Sequence, residues 1–136
     1  MISEQELLHG KTMDELTQEQ KDNFAILLER VNKVRALWGK PMIITNTIRT
    51  MEEHLAIYAK KGITDKSKIP MKSKHLFAAA CDVSDPDLEL TQWLQDNPQV
   101  MEDCDIWCEL GNSNWSHIQI QPFGSYKAGG SRWFNA

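Results

Sequence analysis

The sequence lacks an apolar run long enough to cross a bilayer, so membrane insertion is not expected. It lacks an excess of basic charge too. Lys and Arg number 15 against 19 Asp and Glu, a net charge of −4. A nucleic-acid partner, whose phosphates call for a basic surface, is therefore not expected, and no basic–aromatic stripe suggests otherwise. Cysteine is scarce and odd in number: Cys81, Cys104 and Cys108 cannot close a disulfide framework and are read as buried thiols. A basic start followed by an apolar segment is missing, since Met1-Ile2-Ser3-Glu4-Gln5-Glu6 is acidic. We expect synthesis in the cytoplasm without a Sec-type signal peptide, so that action outside the cell depends on release by another agent. Repeats and low-complexity linkers are absent, and residues 1–136 are read as one domain.

What is present reads as helices first and strands later. Ser3 with Glu6, Thr17 with Gln20, and Thr50 with Glu53 have the spacing of capping boxes that open helices. After Thr17, the residues Phe24, Leu27, Leu28, Val31, Val34 and Trp38 fall on one helical face, and Gly39 and Pro41 end the run. Residues 42–48 read as a strand with Arg49 at its end, and Gly62 closes the helix opened by Thr50. A lysine-bearing loop over 63–74 precedes a strand at 78–83, a helix at 87–95 stopped near Pro98, and strands at 100–110 and 115–121. The last two are joined by Gly111-Asn112-Ser113-Asn114, a strong turn signal. This order predicts an α+β fold, with N-terminal helices packed on a small, mostly antiparallel sheet that carries a zinc cleft. Residues 124–136 carry no clear signal.

The chemistry concentrates in two stretches. Ser73-Lys74-His75 is followed, seven residues after the imidazole, by Asp82, and Trp115-Ser116-His117 lies far downstream. His75, Asp82 and His117 make three ligands, which leave the fourth position of a tetrahedral zinc open, as a catalytic site requires. Alternation along 78–83 puts Asp82 on a face shared with Ala78 and Ala80. His75 is an odd number of residues away, so the chain must turn between His75 and Ala78 for the two to share an ion. His117 shares the polar face of its strand with Trp115, Gln119 and Gln121. The hairpin turn brings Glu109 near His117, where a carboxylate serves as general base. His9 and His54 lack such a context and are read as exposed helix residues.

These residues resemble the zinc D-alanyl-D-alanine carboxypeptidases and phage L-alanyl-D-glutamate endopeptidases, particularly the short phage-type branch. That family carries Ser-x-His, two residues, Gly-x-Ala-x-Asp, and later Trp-x-His. Ser73, His75, Ala80, Asp82, Trp115 and His117 match it, as does Arg49 after Thr47-Ile48, over residues 12 to 121. The resemblance implies zinc held by His75, Asp82 and His117, Glu109 as catalytic base, and Arg49 in catalysis and in binding a substrate carboxylate. Ser73 and Trp115 become substrate-binding residues, and the stem peptide of bacterial peptidoglycan the substrate. A phage or prophage enzyme released by a holin, or a virion-associated one, fits the expected lack of a signal peptide. Two departures stand out. Ala78 replaces the motif Gly, which requires a negative φ there. Asn114 stands where many members carry an acidic base. A metal-binding pseudoenzyme, a cell-wall-binding module and a virion structural protein of the same fold are the alternative readings.

Overall fold

The computed structural model describes residues 1–135. It is α+β, with five α-helices and one five-stranded mixed sheet among the described residues. Helix α1 (Glu4–Leu8) and helix α2 (Gln18–Trp38) open on the capping boxes of Ser3 and Thr17. Strand β1 (Ile44–Asn46) leads into helix α3 (Met51–Lys60), opened by the Thr50 capping box. Strand β2 (Ala80–Ser84), helices α4 (Glu89–Asp96) and α5 (Pro98–Cys104), and strands β3 (Trp107–Leu110), β4 (Trp115–Gln119) and β5 (Trp133–Asn135) complete the order. No helix among the described residues is long and apolar enough to cross a membrane.

The sheet order is β1-β2-β4-β3-β5, antiparallel except for the β3–β5 pair. One face is core. Cys81, Ile118 and Cys108 form a fully buried row across β2, β4 and β3. Phe24, Leu27, Val31 and Val34 of α2 pack in the same core. Each such buried side chain contributes roughly 1.5–3 kcal/mol of hydrophobic stabilisation. All three cysteines are free and buried. Burial pushes the Cys81 and Cys108 thiols up, so neither offers a thiolate.

Two strand expectations are corrected. Residues 100–104 belong to a helix, not a strand. Pro98 occupies the first helical position, where its missing N–H costs nothing, and Met101 and Cys104 face the core one turn apart. Asp105, in the left-handed conformation at φ 54°, ends that helix and lets the strand begin at Trp107. Strand pairing within 42–48 is confined to Ile44–Asn46, where the register slips. The tail, unreadable in sequence, supplies β5. Arg132 anchors it, donating to Asp105 Oδ1 at 3.0 Å with its guanidinium 4.4 Å from the Trp107 ring centroid.

The most consequential correction concerns Ala78. A 3-10 turn over Lys74–Phe77 ends at Ala78 with φ 56° and ψ 32°, so the backbone is left-handed there, against the negative φ expected. The position is the C-cap of a tight turn, where a left-handed residue lets the closing carbonyls be satisfied. The N–H groups of Ala78 and Ala79 donate to the carbonyls of His75 and Lys74. Holding a non-glycine residue there costs about 1–2 kcal/mol. Ala78→Gly relieves that strain and loses one buried methyl. Its unfolding free energy should match or exceed the parent's, by up to about 1 kcal/mol. Ala80→Gly, in the neighbouring strand, should cost roughly 1 kcal/mol or more. Urea denaturation of both variants checks this; equal losses at the two positions would refute the strain.

Candidate metal centre and cleft

The face of the sheet opposite the core carries the candidate site. Asp82 of β2 and His117 of β4 are directly paired in the antiparallel register, so their side chains project to the same side. His117 Nδ1 lies 2.9 Å from Asp82 Oδ1. The turn ending at Ala78 brings His75 to the same spot, with Nε2 3.3 Å from Asp82 Oδ1. The two imidazoles meet edge to face, with ring centroids 5.2 Å apart. The reversal between His75 and Ala78 anticipated from residue parity is therefore present. His75 and His117 are buried, at 5% and 8% exposure.

The partners of the remaining ring nitrogens determine what these residues can do. His75 Nδ1–H donates to the Thr47 carbonyl at 2.7 Å, leaving the Nε2 lone pair toward Asp82. Gln119 donates its amide N–H to the Gln121 carbonyl, so its Oε1 faces His117 and accepts from His117 Nε2–H at 2.9 Å. That bond leaves the Nδ1 lone pair toward Asp82. Two imidazole lone pairs and a carboxylate oxygen, all acceptors, thus converge, their ligand atoms within 4.8 Å of one another. Such a set requires a cation at its centre, and these three residues can hold a metal ion. In the metal-free protein a proton serves instead. Burial by itself would raise the Asp82 carboxyl, but the hydrogen bond from His117 and the neighbouring His75 imidazole outweigh it and hold it well below the usual carboxylate range. Burial lowers the His117 imidazole, while Asp82, Gln119 and the nearby charge of Glu109 together raise it above its ordinary value.

A cleft of about 920 Å³ opens on this face and takes in all seven residues given a metal, catalytic or substrate role from the sequence. Glu109, Arg49, Ser73 and Trp115 line it together with His75, Asp82 and His117. Asn114 is exposed and does not line it. Ser73 precedes the 3-10 turn without capping it through its side chain. Of the loop lysines, Lys72 and Lys74 line the cleft. The walls differ in character. Arg49, Lys61, Lys72 and Lys74 bring positive charge to the lining, and Phe123 and Phe134 bring a packed aromatic pair, their ring centroids 5.3 Å apart. Phe134 meets the His117 ring edge to face at 6.0 Å.

His54 overturns the expectation of an exposed helix residue, being fully buried. His9 is exposed, as expected. Gln119 was legible as a face-mate of His117 two residues on, but its amide could not be assigned to the imidazole without the strand register. Phe134 had no sequence signal, because its position follows from the tail's return to β3. No family model, curated protein or solved structure matches the chain.

The donor set predicts opposite pH responses for the two forms. With metal removed, His117 has a raised value in the folded state, so its contribution to stability is complete below its ordinary 6.5 and is lost as pH rises through the folded value. Asp82, lowered in the folded state, contributes above its ordinary 3.8 and loses that only as pH falls toward the folded value. Metal must displace the His117 proton, so metal-conferred stability grows as pH rises. Melting temperatures of chelator-treated and zinc-loaded protein from pH 5 to 8 should therefore diverge with rising pH. Parallel curves would mean that the ion does not engage His117.

Proposed function

We propose that the protein is a zinc-dependent peptidase that hydrolyses peptide bonds in the stem peptides of bacterial peptidoglycan. The observation that carries this reading is the convergence of His75 Nε2, Asp82 Oδ1 and His117 Nδ1 at the floor of a cleft also lined by Glu109 and Arg49. Three protein ligands leave a coordination position for solvent or substrate, the pattern of catalytic and not structural zinc. The motif resemblance points to the same class and supplies the substrate. When bound, the divalent ion supplies Lewis acidity at the scissile carbonyl and lowers the pKa of water.

The chain's own residues provide the rest. Glu109 accepts a proton from the attacking water and passes it to the leaving amine, the two duties of a general base turned acid. It replaces the acid that Asn114 does not provide. Arg49 binds a stem-peptide carboxylate through charge-assisted hydrogen bonds, with Lys72 and Lys74 adding positive potential on the same wall. Ser73 offers a hydroxyl to the peptide backbone, and Trp115 with the Phe123–Phe134 wall keeps bulk water from the reacting bond. Action on the wall follows synthesis inside the cell and release, by a holin or as part of a virion.

The test is digestion of purified muropeptides with and without chelator, read by mass spectrometry of the fragments. Zinc-dependent cleavage of a stem-peptide bond is expected, and its absence from the zinc-loaded protein refutes the peptidase. Glu109→Ala should retain near-stoichiometric zinc and lose on the order of 10²-fold or more in turnover. Arg49→Met should act mainly on KM for substrates with a free carboxylate. A protein that binds zinc and muropeptides without cleaving them would instead be the cell-wall-binding module that shares this site.

A further inference from the structure

Helix α3 buries one side chain completely, and it is an imidazole rather than an apolar group. A histidine sealed in this way needs both ring nitrogens partnered. Arg49 Nη1 lies 3.1 Å from His54 Nδ1, and the Pro70 carbonyl lies 2.7 Å from Nε2. A guanidinium can only donate, so Nδ1 accepts, and the ring proton sits on Nε2 and donates to Pro70. The imidazole thus ties together three things: the helix that carries it, the Arg49 side chain, and the loop whose residues 70–74 form a cleft wall. Tyr58, one turn along, covers the ring at a centroid distance of 5.1 Å.

Arg49 has an unusual position. It lines the cleft, yet it makes no ion pair among the described residues, where Arg30 and Arg132 both meet carboxylates. Its backbone N–H is fixed, donating to the His75 carbonyl at 3.1 Å. Its side chain hydrogen-bonds to His54. A cation with most of its donors uncommitted, held by a neutral acceptor on one edge, is oriented without being neutralised. A carboxylate in place of His54 would hold it equally well and cancel its charge.

We propose that His54 is a positioning residue that orients Arg49 as an anion receptor and fixes the Pro70–Lys74 wall beside it. This rests on the reading of Arg49 as the carboxylate-binding group of the cleft. His54 itself touches neither the metal ligands nor the reacting atoms. A glutamine at 54 can reproduce both contacts, with its carbonyl oxygen toward Arg49 and its N–H toward Pro70. A phenylalanine fills the volume and makes neither.

The experiment uses the full chain, wild type and His54→Gln, His54→Phe and Arg49→Met variants. Zinc affinity is measured by calorimetry, and binding of N-acetyl-D-alanine by NMR titration. Zinc binding should be the same in all four. The carboxylate should bind wild type and His54→Gln within about threefold of each other, and His54→Phe and Arg49→Met about tenfold or more weakly. The Arg49 Nη1–H resonance should exchange slowly with water in wild type and rapidly in His54→Phe. Equal binding by wild type and His54→Phe, or an Arg49 signal no more protected than that of Arg35, would overturn the proposal. Failure of wild type to bind the probe would overturn it as well. Binding unchanged in Arg49→Met would instead remove the role given to Arg49. Because neither readout involves hydrolysis, absence of peptidase activity leaves this result separately decided.

Discussion

Asp82 and His117 face each other across two strands, and His75 leans onto the same carboxylate oxygen from a turn. Thr47 and Gln119 accept the outer ring protons of the two histidines, so the inner nitrogens meet the carboxylate as bare acceptors. Three acceptors in a largely buried place repel one another until a positive charge separates them. That requirement organises the molecule. The strand register supplies two of the three acceptors, a strained turn supplies the third, and the core lies behind the sheet that carries the first two.

The turn is the costly element. Residue parity alone would put His75 and Asp82 on opposite faces. The 3-10 turn and the left-handed Ala78 correct this within three residues. Strain tends to be kept where it positions a functional group. Ala78 fits that pattern, since a relaxed backbone there would carry the imidazole away from its partners. The same reversal feeds Ala79 and Ala80 into the sheet beside β4, where Ile120 N–H donates to the Ala79 carbonyl.

Much of this was legible in the residues. The three capping boxes, the apolar stripe of α2 and the Gly111–Asn114 turn are local signals written within a few positions, and each appears where its chemistry put it. The convergence of His75, Asp82 and His117 was legible because parity and motif spacing constrain it jointly. Other features depend on distant partners. Residues 100–104 run straight into the strand-forming stretch 106–110, and Pro98 with the left-handed Asp105 decided for a helix. The tail's return as β5 depends on Arg132 meeting Asp105 and Trp107, an encounter of residues far apart in sequence. His54 looked like a solvent-facing helix residue because its acceptor and donor duties are owed to Arg49 and Pro70, neither of which forms a pattern with it. The sign of φ at Ala78 was misjudged for a like reason, as nothing local demands a left-handed alanine.

The two halves of the cleft are built to different degrees of firmness. Asp82 and His117 share their backbone with the Cys81–Ile118–Cys108 row, so their spacing can be lost only when the sheet itself comes apart. The cationic half hangs on a ten-residue helix secured inside by one imidazole. Local opening draws on the segments with the least buried surface, and here that segment is the arginine side. Breathing at this site is thus expected on the arginine flank, while the paired carboxylate and imidazole on the other stay as fixed as the sheet.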